Sequence, residues 1–251
     1  MGSTDIDINE PNKADDEMLP AQLPDQIRAF CNSGKSVAQL AHLAKNIIQM
    51  VTGSVEIMEL GLERKQYDRV LRSWDIFESN FYRLTKFVLD LIKYTKHYPL
   101  QKTQCDLSQL VQNGIHSCEN LLKNKHVKIR LLQDKTIPKV WVDADRFEEI
   151  VVNLIIHAYD NFGPQAGTVT IQTHYLADEQ QIQLDVSDDA PALSEDIRQQ
   201  LTEPFERTRN MTGTGFEIPL ALCYVQQHNG TFQISGNEST GNSVCVSLPI
   251  K

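Results

Sequence analysis

Seven large apolar side chains follow one another at steps of four, three, four, three, four and three: Val70, Trp74, Phe77, Phe81, Leu84, Val88 and Leu91. That alternation is a heptad seam, which lies along one side of a helix and must be covered by other helices. It predicts a helix over 67–96, ended by Pro99. Upstream, Val37, Leu40, Ala44, Ile47, Val51 and Met58 recur at similar spacing, interrupted by Ser54, and predict a helix over 36–62 with Gly61 as its stop. Two long helices with a short connection make an antiparallel hairpin. Ile48, Met50, Phe87 and Ile92 flank the seams and widen the apolar stripe beyond what one partner helix covers. A second copy would cover it, so a homodimer with a four-helix bundle is expected, with Trp74, Phe77 and Phe81 in its core. His42, two residues past the seam position Leu40, is expected on the bundle surface.

The pattern changes near residue 106. A helix is predicted over 107–123, then strands over 127–132 and 140–142, a helix over 144–160 opened by "DADR", and alternating strands over 168–176 and 181–187 around the turn "ADEQ". A polar segment, a helix near 216–228 and strands over 231–235 and 243–250 complete the chain. Mixed helices and strands with antiparallel neighbours predict a two-layer α/β sandwich, hence an α+β chain. The expected division is an acidic tail or linker over 1–35, a helical hairpin over 36–104 and the α/β domain over 105–251.

Charge and cysteine usage narrow the function classes. Of the net charge of −9, most sits in the first 25 residues, which carry seven acids against Lys13 and include Pro11, Pro20 and Pro24. That stretch reads as a solvated tail. The rest of the chain has no basic stripe, so nucleic acid is not an expected partner. Cys31, Cys105, Cys118, Cys223 and Cys245 are scattered with no C-x-x-C pair, as suits reduced thiols in a cytoplasmic protein. No apolar run is long enough for a membrane span, and the N-terminus has no signal pattern.

Five stretches in register resemble the transmitter region of bacterial sensor histidine kinases. "AHLAKNIIQ" is similar to the phosphoacceptor stretch of that family, "VDADRFEEIVVNLIIHAYDN" to its N box, and "VSDDAPAL" stands where D-x-G-x-G belongs. "EPFERT" is similar to the F box, and "GTGFEIPLALCYVQQHNGTFQI" to the last glycine box and its following strand. The resemblance implies a dimerising, phosphoacceptor helical hairpin followed by an ATP-binding sandwich of the histidine kinase, Hsp90 and gyrase type. It implies His42 as phosphoacceptor with Asn46 as assisting amide, and Asn153, Asp188, Gly213 and Gly215 as the ATP site with Mg²⁺.

Departures from the family pattern fall on each part of that machinery. The acid after the histidine is Leu43, which accepts no proton. The second N-box asparagine is His157, a poor ligand for a hard, oxygen-seeking ion. The glycines after Asp188 are Ala190 and Ala192 around Pro191, and the glycine expected after Gly215 is Glu217, at a turn where phosphate would sit. ATP and Mg²⁺ binding is therefore expected to be weak or absent, and autophosphorylation lost. The chain is expected to act in two-component signalling by binding a response-regulator receiver domain or a partner histidine kinase. One alternative is a histidine phosphotransferase using His42 without ATP; another is an active ATP-dependent kinase. Each residue also has a plainer reading. His42 is then an unused surface histidine, Asn153 a helix residue bonded to local backbone, Asp188 a strand-end turn residue, and Gly213 and Gly215 a simple turn. No metal site is expected from His157, Asp188 and Glu217, whose spacing has no ligand signature.

Overall fold

The computed structural model describes residues 25–96, 99–125, 127–202 and 213–251. The acidic stretch before residue 25 and the F-box-like "EPFERT" lie outside the described residues.

Helix α1, Asp25–Glu63, and helix α2, Tyr67–Thr95, pack along each other as the expected hairpin. Two expectations need correction. First, α1 begins at Asp25, well ahead of residue 36, so the stretch from 25 to 35 is helical and not linker. No proline falls between Pro24 and Pro99, and the lone Gly34 costs only about 1 kcal/mol in a helix. Second, Gly61 does not stop α1. It is where the two helices approach: a Cβ there would lie 2.8 Å from Val70 Cγ2. The stop is Lys65, in the left-handed region at φ 55°, after which Gln66 N donates to Gly61 O at 2.7 Å.

The seam of α2 also departs from expectation within one chain. Trp74 and Phe81 are 50% and 51% exposed, and Val88 is exposed too. Their rings form a ladder with Phe77 between them, at centroid distances of 5.5 and 5.8 Å, along a face that α1 does not cover. The other seam residues are better covered: Val70 meets α1 at Gly61, and Leu84 and Leu91 pack against the core.

The α/β domain has a five-stranded sheet in the order β2-β4-β5-β7-β6, built from Val127–Leu132, Gly167–Leu176, Gln181–Asp188, Gly241–Pro249 and Thr231–Asn237 respectively. The β2–β4 pair is parallel and the others antiparallel. A small antiparallel pair joins β1, Thr103–Cys105, to β3, Val140–Val142. Helices α3 (Leu107–Lys125), α4 (Ala144–Asn161) and α6 (Glu217–Gln227) form the second layer, the two-layer sandwich that the alternating pattern predicts. On β5 alternate residues Ile182, Leu184 and Val186 point into the core. They form it with Val169, Ile171, Val244, Val246 and Leu248 of the sheet and Phe147, Ile150, Leu154, Leu220 and Tyr224 of the helices.

Sequence reading missed two elements. The three-residue β1 is too short to show alternation. Helix α5, Glu195–Gln200, stands in what reads as a polar segment; Ser194 caps it, its Oγ accepting from Ile197 N at 3.4 Å. The "SED" start was a usable signal.

Two buried groups fix the way α4 begins. Asp143 caps it, accepting from Arg146 N at 3.1 Å with Oδ1 and from Gln101 N at 2.8 Å with Oδ2. Asp143 N donates to His228 Nε2 at 3.1 Å, which leaves His228 Nδ1 to donate to Tyr224 O at 2.7 Å. His228 is thereby held as one neutral tautomer, and burial pushes its pKa below the ordinary value.

Candidate functional site

The positions expected to carry chemistry fall into two groups. His42 and Asn46 lie one turn apart on α1, His42 exposed and Asn46 half-buried. Asn153, Asp188, Gly213 and Gly215 lie in the α/β domain around the C-terminal half of α4 and the start of α6. Helix α2 packs against α6. Leu43, beside His42, points the other way: it is 5% exposed and belongs to the continuous apolar core with Ile47 and Phe87.

Helix α4 organises the second group. Asn153, His157 and Asp160 recur at three- and four-residue steps and are all buried. Burial pushes the His157 imidazole down to about 4, against the pull of Glu217, so the ring is neutral at physiological pH. Its folded pKa lies below the ordinary 6.5, so the unfolded chain takes up the proton first. Stability is therefore expected to be full above pH 6.5 and to decline as pH falls from 6.5 to about 4. The loss from this residue is about 3 kcal/mol. Urea midpoints measured across that window check it: His157→Gln is expected to flatten the slope.

Asp188 closes β5 with both carboxylate oxygens taken by the protein. Oδ1 accepts from Asn242 Nδ2 at 2.9 Å and Ala190 N at 3.1 Å, and Oδ2 accepts from Asn161 Nδ2 at 2.9 Å. Burial pushes its pKa up, and the hydrogen bonds from Asn161 and Asn242 pull the other way. Ala190 is itself buried against this cluster.

The turn before α6 holds the feature that sequence reading did not anticipate. Gly213 N donates to Asp160 Oδ2 at 3.0 Å, tying the turn to α4. Glu217 does not extend away from the turn but folds back over it. Its Oε1 accepts from Thr214 N at 2.7 Å and its Oε2 from Gly215 N at 2.9 Å. Gly215 has φ 80°, which aims successive N–H groups inward, and a Cβ on Gly213 would lie 2.6 Å from the Glu217 carboxyl carbon. Glu217 is thus a resident anion in a backbone nest at a helix N-terminus. Sequence reading takes Glu217 as a group that repels phosphate; in the structure it also occupies the donors. Gly213→Ala is expected to disturb this packing and destabilise the chain by about 1–3 kcal/mol, checked by thermal unfolding.

The turn expected to face phosphate already carries a carboxylate of the chain itself. Two of the turn's backbone donors serve Glu217, both oxygens of Asp188 serve Asn161, Asn242 and Ala190, and a neutral imidazole stands at the second N-box position. A cleft of about 720 Å³ opens elsewhere, at the junction of α2 with the start of α4, lined by Lys93, Pro99, Asp145, Arg146 and Glu148 among others. None of Asn153, Asp188, Gly213 or Gly215 lines it. Among the described residues no helix is long and apolar enough to cross a membrane.

Comparison with known proteins agrees with the architecture. Residues 142–251 match the family described as "Histidine kinase-, DNA gyrase B-, and HSP90-like ATPase". The chain is 23% identical to the sensor histidine kinase ZraS of Escherichia coli (strain K12), over 86% of this chain and 45% of that protein. It is 23% identical to sporulation kinase C of Bacillus subtilis (strain 168), over 98% of this chain and 56% of that protein. The chain thus spans about half the length of these curated relatives. Among solved structures, histidine kinase ThkA in complex with response regulator protein TrrA superposes with a TM-score of 0.69 at 19% identity, covering 90% of this chain and 64% of that one. Full-length ShkA in complex with AMPPNP gives 0.62 at 19% identity, covering 84% and 45%. Residues 142–251 therefore match the histidine kinase-, DNA gyrase B- and HSP90-like ATPase family, and the chain as a whole shares the fold of solved histidine kinases.

Proposed function

We propose that this chain is a degenerate histidine-kinase-type signalling protein that takes no phosphate from ATP and works by binding a receiver domain or a partner kinase. The observation that carries the proposal is Glu217, whose carboxylate takes the Thr214 and Gly215 N–H groups that a phosphate would need. Leu43, buried beside His42, adds to it: the side chain next to the phosphoacceptor position contributes packing and no base. Incubation with labelled ATP and Mg²⁺ tests the proposal. No acid-labile phosphate on His42 is expected, and stoichiometric labelling would overturn the reading.

A second reading, a histidine phosphotransferase, draws support from His42 itself, exposed on α1 with Asn46 one turn away. It needs no nucleotide. Incubation with a phosphorylated receiver separates it from pure binding: transfer to His42 that His42→Gln abolishes supports the phosphotransferase.

The partner of the hairpin's outer face is proposed to be a second copy. Trp74, Phe81 and Val88 on α2, with Ile48 and Met50 on α1, leave a long apolar surface that one chain does not bury. A dimer mass is expected from light scattering on a dilute sample. Phe81→Asp is expected to dissociate it, because a charge in the seam is desolvated without a partner.

A further inference from the structure

Lys86, Asp90, Thr214 and Glu217 form one polar cluster across the boundary between the hairpin and the ATPase domain, with Lys86 half-buried at its edge. Lys86 and Asp90 are one turn apart on α2, with Lys86 Nζ 2.5 Å from Asp90 Oδ2 and 3.7 Å from Glu217 Oε1. Thr214 Oγ1 donates to Asp90 Oδ2 at 2.6 Å and lies 3.2 Å from Glu217 Oε1. The hydroxyl has one proton, so it serves the nearer carboxylate, and Lys86 is the cation in reach of both. Asp90, Thr214 and Glu217 are all buried. Burial alone would push the Lys86 ammonium down, but Glu217 and Asp90 outweigh it and hold it above its ordinary value. Phe216, next to Glu217, also meets α2: its ring lies 5.9 Å from that of Phe87 and 5.7 Å from that of Tyr94, centroid to centroid. Further along α2, Lys93 pairs with Glu149 of α4, which also meets Arg146.

We infer that Glu217 is the pin of an internal latch: its carboxylate orders the 213–215 turn and, with Thr214, presents that turn to Lys86 and Asp90 of α2, holding hairpin and ATPase domain docked with no ligand. The chain supplies from its own sequence an anion at the domain boundary. A pair with a half-exposed cation adds little net stability, but removing Lys86 leaves two buried carboxylates without their cation, so geometry is its main product. The latch stands independently of whether any nucleotide binds, because each contact is between residues of the chain.

Hydrogen exchange on the full chain tests it, comparing Lys86→Met, Glu217→Gln and the double variant with the unaltered protein. Each single change is expected to speed exchange about tenfold in both Gly213–Ile218 and the α2 segment Lys86–Tyr94, with the β4–β5 ladder unchanged. The double variant is expected to match the singles, because both act on one linked cluster. Thr214→Val, which removes only the hydroxyl tie to Asp90, gives the same test if a charge variant fails to fold. Faster exchange confined to the turn, with α2 unmoved, would reduce Glu217 to a local helix cap and overturn the latch. Strictly additive effects of the two single changes would overturn it as well.

Discussion

Glu217→Gly is expected to raise affinity for ATP by about tenfold or more, equivalent to about 1.4 kcal/mol, while leaving adenosine almost unchanged. The reason is local. The substitution frees Thr214 N and Gly215 N, which now serve the Glu217 carboxylate at 2.7 and 2.9 Å. It also removes a negative charge from the place where phosphate would lie. Adenosine has no phosphate and feels neither change. Adding His157→Asn is expected to make binding respond to Mg²⁺, since an amide oxygen suits that ion and a neutral imidazole does not. Calorimetry with adenosine, ADP and ATP reads all three effects. Equal gains for adenosine and ATP would point to a general loosening of the domain in place of a freed phosphate site.

Leu43→Glu is expected to destabilise the chain by about 3 kcal/mol or more and to give no phosphorylated His42. On family resemblance alone the change restores the acid that follows the histidine. In this chain the position is 5% exposed and lies in the core with Ile47 and Phe87. A carboxylate placed there loses its hydration among apolar neighbours. The nucleotide side stays as it was, with Glu217 in the turn. Denaturant unfolding and acid-labile phosphate assays check the two halves separately. A stable variant that labels from ATP would show that the single side chain had been the whole defect.

The hairpin and the sandwich were legible because their signals are periodic: the four-three seam of α2 and the alternation of β4 and β5 need no tertiary information. The start of α1 was not, because Gly34 and the weak stripe ahead of residue 36 conceal a helix that no proline interrupts. Trp74 and Phe81 read as core because a stripe records that a face is to be covered and not by which chain. The role of Glu217 was not legible, since a carboxylate beside a phosphate turn repels in one rotamer and substitutes in another, and only the fold decides. Lys86 and Asp90 carried a faint signal, an opposite-charge pair one turn apart flanking buried Phe87. Their partner Thr214 is more than a hundred residues away in sequence. Asp160, Asn161 and Asn242 likewise act through contacts that no local spacing encodes.

Titration of the unaltered chain with Mg-ATP in a calorimeter tests the central claim most directly. The structure has Glu217 in the backbone nest and Asp188 hydrogen-bonded by Asn161, Asn242 and Ala190. The expected result is no saturable heat in the micromolar range, with ATP binding no better than adenosine and Mg²⁺ adding nothing. Micromolar or tighter binding that requires Mg²⁺ and the triphosphate would contradict the account and restore the chain to the active kinases.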